Sequence, residues 1–144
     1  MKKLLFPLLV AVFAAVQANA YQFSAESPSG HTLFYDIIDY DQKYVRLVPE
    51  LSGNDKYENP PAGELIIPGT VVFEDETYTV TEILYCAFSD CNKITSLVIQ
   101  EGIQKIGSSA FSGCSKLQAV VLPNSLVEME LAAFTHCKKL TDIT

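Results

Sequence analysis

The sequence predicts a repeat solenoid that is mostly β, and a recurring phrase is the first reason. Residues 87–91 read Ala-Phe-Ser-Asp-Cys, residues 110–114 read Ala-Phe-Ser-Gly-Cys, and residues 133–137 read Ala-Phe-Thr-His-Cys, so the spacing is 23 residues. A period of about 20 to 29 residues is typical of solenoids in which each coil supplies a strand and a return segment. No coil can bury its apolar side until a neighbour stacks on it. The phrase therefore predicts stacked coils of 23 residues.

Aliphatic residues that repeat at the same period are the second reason. Within one coil, Leu117, Val120 and Leu122 alternate as in a short strand of a parallel sheet, with the last two facing inward. Short helical or 3-10 return segments are expected to complete each coil, with the phenylalanine of the phrase filling its middle. The positions in register are Val80, Ile103 and Leu126; Ile83, Ile106 and Met129; Ile94, Leu117 and Leu140; and Leu97, Val120 and Ile143.

The whole pattern, L-x-x-L-x-L-P-x-x-L-x-x-I-x-x-x-A-F-x-x-C over residues 80–144, resembles the BspA-like class of leucine-rich repeat. The resemblance implies surface or secreted proteins of host-associated bacteria that bind host extracellular proteins. Two positions depart from the pattern. Gln100 stands where the equivalent of Pro123 would be expected, and Glu130 replaces the small residue Gly107.

The first twenty residues predict a secretory signal peptide. Lys2 and Lys3 give a positive start, residues 4–16 form an apolar run of 13, and a small-x-small motif ends at Ala20. A membrane span needs about 20 apolar residues, so no transmembrane segment is expected. Cleavage after Ala20 would release a chain that begins at Tyr21 and is secreted, on the cell surface or periplasmic.

The charge balance excludes two classes of partner. Removing Lys2 and Lys3 from the ten basic residues leaves eight against 17 acidic residues, so the net charge becomes −9. Nucleic acids and anionic membranes both require clusters of Lys and Arg, so neither is expected as a partner. Lys93, Lys116 and Lys139 repeat at the period, but exposed lysines of this kind are expected mainly to promote solubility.

Residues 21–62 predict a β-rich N-terminal cap. The segments 32–38 and 43–48 are rich in aromatic and β-branched residues, and residues 39–42 can turn between them, which indicates a hairpin. The first coil of a solenoid would otherwise expose a sheet edge and an open core. The cap is expected to cover that edge.

The solenoid is expected to occupy residues 63–144, and an insertion disguises its first coil. Ile67-Pro68 matches Leu122-Pro123 at a separation of 55, which is two periods plus nine residues. Residues 64–67 should therefore form the first strand of the parallel sheet. The nine extra residues predict a projecting hairpin at about 71–80 with an acidic tip.

Four cysteines in a secreted chain raise the question of disulfides. Cys91, Cys114 and Cys137 share one position in successive coils, where an inward thiol behaves as a small apolar group. Parallel Cβ directions do not suit disulfide torsion, so a ladder of free thiols is expected, and Cys86 with Cys91 is the pair left open. These thiols and His136 form a line and not a tetrahedron, so no metal is expected, and no cofactor.

The sequence offers little support for an enzyme. A glycosidase needs two facing carboxylates, whereas the acidic groups here lie on predicted turns. His31 and His136 are the two histidines, and neither has a Gly-x-Ser-x-Gly elbow nearby. Asp39-x-Asp41 lacks the glycine and distal glutamate of a calcium loop. We therefore expect a non-catalytic protein.

The outward strand positions predict the binding surface, a broad neutral face. Stacked parallel strands suit proteins or glycans better than small molecules. Adhesion to host extracellular or surface proteins is the expected function. A glycan-binding accessory module of the envelope and a structural assembly unit without external ligand are the alternatives. The candidate face comprises Ser96, Val98, Gln100, Gln118, Ala119, Val121, Asp142 and Thr144.

The last coil predicts an unpaired edge. The chain stops one residue before the position equivalent to Leu122, so the strand around Ile143 has no following neighbour in the sequence. The expectation is either a truncated member of a longer array, or self-association or partner binding through the edge near Ile143.

Overall fold

The computed structural model describes residues 21–144, which form eleven β-strands in two sheets. The predicted signal peptide lies outside the described residues. The strands are β1 (Phe23–Glu26), β2 (Thr32–Asp39), β3 (Tyr44–Val48), β4 (Ala62–Ile67), β5 (Thr70–Phe73), β6 (Glu76–Ile83), β7 (Lys93–Ile99), β8 (Lys105–Ile106), β9 (Ala119–Val121), β10 (Glu128–Met129) and β11 (Asp142–Ile143).

The solenoid is confirmed, but each coil contributes two strands instead of the single strand predicted. Sheet 1 has the order β1-β2-β3-β6-β8-β10 with β5 paired to β6, and sheet 2 has the order β4-β7-β9-β11. From β6 onward in sheet 1 and from β7 onward in sheet 2, paired residues lie one period apart, as Ile83 and Ile106 do in sheet 1 and Leu97 and Val120 do in sheet 2. The additional strands β8 and β10 have two residues each, which is too short to show an alternating pattern.

The return segments, residues 84–92, 107–115 and 130–138, are runs of tight turns. No helix occurs in residues 21–144, so the predicted helical or 3-10 return is corrected. Each segment holds two left-handed positions; in the first they are Cys86, with φ of 54°, and Asp90, with φ of 61°. The left-handed positions recur 23 residues later in each coil. Repeated left-handed residues interrupt a right-handed helix.

Backbone hydrogen bonds show why these segments do not form helices. In the first return segment every second amide bonds to the next coil, so the N–H of Phe88 donates to the carbonyl of Ala110 at 2.7 Å. The intervening amides close four-residue turns, as the N–H of Ser89 does with the carbonyl of Cys86 at 3.2 Å. Since half of the donors bond to a neighbouring coil, a continuous intrasegment ladder cannot form.

The first coil has the register that the sequence predicts, with Leu65 on β4 paired with Leu97 on β7. Between them, β5 and β6 form an antiparallel hairpin in which Phe73 pairs with Glu76. The two residues at its tip, Glu74 and Asp75, have φ of 50° and 63°. Two consecutive positive φ values define the type I′ turn that suits the twist of a tight hairpin.

The N-terminal strands share sheet 1 with the solenoid. β3 pairs in parallel with β6, and β1 lies beside β5. The strands β1, β2, β3, β6 and β5 therefore surround one aromatic cluster. Phe23 stacks on Phe73 with centroids 4.3 Å apart and on Tyr35 at 5.3 Å. The first coil is thus covered through shared strands and a shared core.

A second aromatic column runs along the solenoid axis. The rings of Phe88, Phe111 and Phe134 stack at centroid distances of 5.2 Å, within 7° of parallel. Tyr57, from the loop before β4, continues the column at 5.7 Å from Phe88. Its hydroxyl donates to the buried carbonyl of Ala87 at 2.9 Å. The loop therefore plugs the N-terminal end of the column.

Candidate functional site

The outer face of sheet 2, named here the sheet-2 face, presents most of the predicted binding residues in rows across the strands. Ser96 on β7 pairs with Ala119 on β9, which pairs with Asp142 on β11. Val98 pairs with Val121 in the next row, where Val121 is 45% exposed. Paired strands lie about 4.8 Å apart, so each row forms a continuous strip of surface.

A bulge explains why two consecutive predicted residues, Gln118 and Ala119, both reach the surface. The register between β4 and β7 shifts next to Glu64, which leaves Thr95 without a partner. The N–H of Gln118 donates to the carbonyl of Thr95 at 2.9 Å, so the irregularity continues into the next coil. A bulge interrupts the alternation of side chains between the two faces of a strand.

Gln100 and Thr144 lie at the carboxyl ends of the strands. Thr144 lies next to β9 at the end of the face, because its N–H donates to the carbonyl of Val120 at 3.0 Å. Gln100 turns away, and its Oε1 accepts the N–H of Gly69 at 3.4 Å. Gln100 lines a cavity of about 570 Å³ at the end of the sheet, together with Val121.

The first strand adds two residues to the face that were not predicted. Glu64 pairs with Ser96, and Ile66 pairs with Val98. The match of Ile67-Pro68 to a later coil already fixed the register of β4, and extending that register would have found both. With Glu64 at one end of the row and Asp142 at the other, the face is neutral only in its middle.

The outer face of sheet 1 differs from the sheet-2 face because it carries a row of charged side chains. One row across five strands alternates in charge. Arg46 pairs with Asp36 at 3.3 Å, and Lys105 pairs with Glu128 at 3.5 Å and with Glu130 at 2.7 Å. Opposite charges on neighbouring strands stabilise a sheet. The members of the row are Asp36, Arg46, Glu82, Lys105 and Glu128.

Cys91, Cys114 and Cys137 form the predicted inward ladder, Cys86 lies outside it, and all four cysteines are free. The thiol of Cys114 donates to the carbonyl of Phe88 at 3.3 Å, and that of Cys137 donates to the carbonyl of Phe111 at 3.2 Å. Burial raises the pKa of Cys91 to about 12, followed by a smaller contribution from a nearby carboxylate. Thiols with such pKa values stay protonated at neutral pH and are poor nucleophiles.

His31 closes the outer edge of β4. Its Nε2 donates to the carbonyl of Ala62 at 2.9 Å, and its Nδ1 lies 2.9 Å from the hydroxyl of Ser29. That hydroxyl accepts the N–H of Ile66 at 2.9 Å. Side chains thus satisfy an edge that would otherwise be open to another strand. Sequence reasoning missed this role, because no periodic signal marks the turn that carries both residues.

His31 also lines a cavity of about 470 Å³ between the turn before β2 and the loop before β4, with Glu50 at its side. Within the described part of the chain, no group of three His, Cys, Asp or Glu side chains is placed to hold a metal ion. The contacts of His31 with Ser29 and Ala62 belong to the edge of β4.

The two parallel sheets, the stacked phenylalanines and the 23-residue register define a leucine-rich repeat solenoid. The family described as the BspA type leucine rich repeat region matches residues 71–144 in six copies. The chain belongs to this family. No curated protein matches the chain.

Solved structures of bacterial leucine-rich repeat proteins share the fold. A leucine-rich repeat protein from Bacteroides ovatus is 28% identical with a TM-score of 0.69, and 85% of this chain matches 29% of that one. The T. pallidum leucine rich repeat protein is 23% identical with a TM-score of 0.65, and 83% of this chain matches 50% of that one.

A leucine rich cell surface protein from Faecalibacterium prausnitzii is 23% identical with a TM-score of 0.58, and 84% of this chain matches 30% of that one. The chain thus spans half or less of the length of these structural relatives. Among residues 21–144, no helix is both long and apolar enough to cross a membrane.

Proposed function

We propose that the chain is a non-catalytic binding protein, exported to the cell surface or secreted, and that its sheet-2 face binds a host extracellular protein. The observation that carries the proposal is the middle of that face, where Ser96, Ala119, Val98 and Val121 form two uncharged rows across neighbouring strands. A partner that covers these rows does not have to remove any charged side chain from water.

The contrast between the two sheets supports the choice of face. On sheet 1, Arg46 already pairs with Asp36 and Lys105 with Glu128, so a partner would have to break those pairs or bury them at a cost. The sheet-2 face presents small and β-branched side chains instead. Interfaces bury aliphatic and aromatic groups at their centre and leave charged groups at the rim, and Glu64 and Asp142 lie at the rim of this face.

The surface location is supported by two further observations. The first twenty residues have the composition of a secretory signal peptide, and one relative of the same fold is a leucine rich cell surface protein. Expression of the full sequence in a secreting bacterium, followed by mass spectrometry of the exported protein, tests the location. An amino terminus at Tyr21 supports export, and retention of Lys2 and Lys3 contradicts it.

The binding face is tested with one substitution made at two places. The protein is screened against immobilised extracellular matrix proteins and on a glycan array. Val121→Arg, in the uncharged middle, is expected to weaken binding at least about tenfold, because hot spots concentrate at the centre of an interface. Val127→Arg is the matched control, since Val127 is 84% exposed and lies beside the start of β10 in sheet 1. Equal effects of the two changes, or binding only to glycans, would refute a protein partner on this face.

A further inference from the structure

We propose that the corner where the return segments meet sheet 2 binds a linear anionic polysaccharide, through a row of lysines named here the lysine row (Lys93, Lys116 and Lys139). This is a second binding site beside the sheet-2 face. It involves different chemistry, and it does not depend on the protein partner proposed above.

The three lysines lie at equivalent positions of stacked backbone turns. Each lysine is the third residue of a tight turn that begins at a ladder cysteine, and the three turns are stacked in successive coils. They are closed by hydrogen bonds from the amides of Ile94, Leu117 and Leu140 to the carbonyls of Cys91, Cys114 and Cys137, at 3.3, 3.1 and 3.0 Å. Because sheet 2 keeps a constant register from coil to coil, the lysines are spaced by one strand separation, about 4.8 Å.

Among the described residues, the positive charges of the lysine row are not balanced by ion pairs. Within residues 21–144, the basic side chains that form ion pairs are Lys43 with Glu76, Arg46 with Asp36, and Lys105 with two glutamates. Among the described residues, no acidic side chain forms an ion pair with the three lysines of the row or with Lys138, which precedes the last of them. Four unpaired cations therefore lie at one corner of a strongly acidic chain.

In the charged row of sheet 1, by contrast, positive and negative side chains alternate. The outer face of sheet 1 alternates Asp36, Arg46, Glu82, Lys105 and Glu128 strand by strand. Like charges on adjacent strands are destabilising, so three lysines in line lower the stability of the free protein. An anionic polymer laid along the row would remove that repulsion.

The surroundings of the lysine row favour a polysaccharide over a peptide or a nucleic acid. The row beside it consists of Thr95, Gln118 and Thr141, whose side chains can bond to sugar hydroxyls. These neighbours include no aromatic ring on which a base could stack. An extended peptide presents side chains on one side about every 6.6 Å, out of step with lysines about 4.8 Å apart. The glycosidic linkages of a linear polysaccharide rotate, so its charged groups can adapt to this spacing.

Acidic groups near the row oppose the binding of a polyanion. Asp142 lies one row further along the face, and Asp90 lies in the adjacent turn. The net charge of the chain also opposes approach of a polyanion at long range. Screening limits that repulsion to about 8 Å at physiological ionic strength, so contacts with the row decide the affinity. Binding should weaken as salt is raised.

Dextran sulfate tests the proposal, with unsulfated dextran and polyglutamate of matched charge as competing probes. The purified protein is expected to bind dextran sulfate better than either. Lys93→Gln with Lys116→Gln and Lys139→Gln should weaken binding roughly a hundredfold, since each lysine that faces a polyanion contributes a factor of about five. The matched control is Lys43→Gln with Lys56→Gln and Lys105→Gln, which changes the net charge equally at lysines outside the row; Lys56 lies in the loop before β4. Circular dichroism checks that both triple variants are folded.

Each outcome decides the proposal. Selective loss in the row variant, with the control unchanged, supports it. Equal losses in both triple variants would show attraction by net charge alone and overturn it. Equal binding of polyglutamate would overturn the choice of a polysaccharide, and no binding of dextran sulfate at low salt would overturn the site.

Discussion

The phenylalanine at the centre of each coil is the residue that joins one coil to the next. Phe111 is fully buried, and its ring is stacked on Phe88 on one side and on Phe134 on the other, both at 5.2 Å. Aromatic rings bury large apolar areas and add to the packing energy through their mutual contact. Phe134 has a ring on one side only and is half-buried among the described residues.

Phe111→Ala should lower the free energy of unfolding by about 3–5 kcal/mol, because it leaves a cavity between two rings. Phe134→Ala should cost less, because solvent already reaches that site. Urea unfolding of the two variants measures both values. Small and equal losses would contradict a stacked column.

The cysteines beside these rings are the second feature at this scale. Burial raises the pKa of Cys91 to about 12 and also raises the pKa of Cys114. In the native protein neither should react with a thiol reagent at neutral pH, because the thiolate is the reactive form. Titration in denaturant without reductant should find all four thiols. A count of two would reveal a bridge, with Cys86 and Cys91 as the pair to examine first.

At the scale of the elements, carboxylates connect turns of adjacent coils. Glu101 accepts the N–H of Asn124 at 2.7 Å and that of Ser125 at 3.0 Å. Glu130 accepts the N–H of Ser108 at 2.8 Å and also pairs with Lys105. A carboxylate that accepts backbone N–H bonds is stabilised in its charged form. These glutamates hold together turns that contribute little apolar contact.

The bond from the amide of Asn124, followed by the one from Ser125, holds the pKa of Glu101 below its usual value. The folded protein therefore binds fewer protons than the unfolded chain in that range. The stabilisation is complete above the ordinary carboxyl pKa and is lost as the pH falls through the lowered one.

Glu101→Gln should accordingly lower the melting temperature at pH 6, and the difference from the wild type should shrink as the pH approaches 3. Calorimetric scans across this range measure it. Glu74→Gln is the control, since Glu74 is exposed at the tip of the β5–β6 hairpin. A difference that stays constant with pH would argue against the role assigned to Glu101.

Across the molecule, the N-terminal strands and the coils form one continuous structure. β3 and β6 share backbone bonds in sheet 1, and the buried residues of both regions form one cluster. Tyr57 joins the two regions through its stacking on Phe88 and its bond to the carbonyl of Ala87. Burial raises the pKa of Tyr57 well above its usual value, so its hydroxyl remains a donor.

Tyr57→Phe should cost about 1–3 kcal/mol, because it leaves a buried carbonyl without its partner. Hydrogen exchange should show the same loss of protection in β2 and in β7, since the structure unfolds as a unit. Tyr40→Phe is the control, because Tyr40 is 67% exposed and its change should stay within about 0.5 kcal/mol. Loss of protection confined to the N-terminal strands would contradict a single cooperative unit.

The features that repeat along the chain could be predicted from the sequence alone. The spacing of the phenylalanines and cysteines predicted the coil length, the stacking order and the inward position of Phe88 and Cys91, all of which the structure has. The offset of Ile67-Pro68 predicted the register of β4 on β7. These features can be recognised in the sequence because every coil places the same kind of residue in the same environment.

The features that depend on pairing between distant segments became apparent only in the folded chain. The second strand of each coil is two residues long, and the turns of the return segments depend on amides that bond to the next coil. The contact of His31 with Ala62 and the closure of the column by Tyr57 each occur once. A contact between distant segments that occurs once leaves no period in the sequence, and its free energy depends on the folded geometry that brings the two segments together.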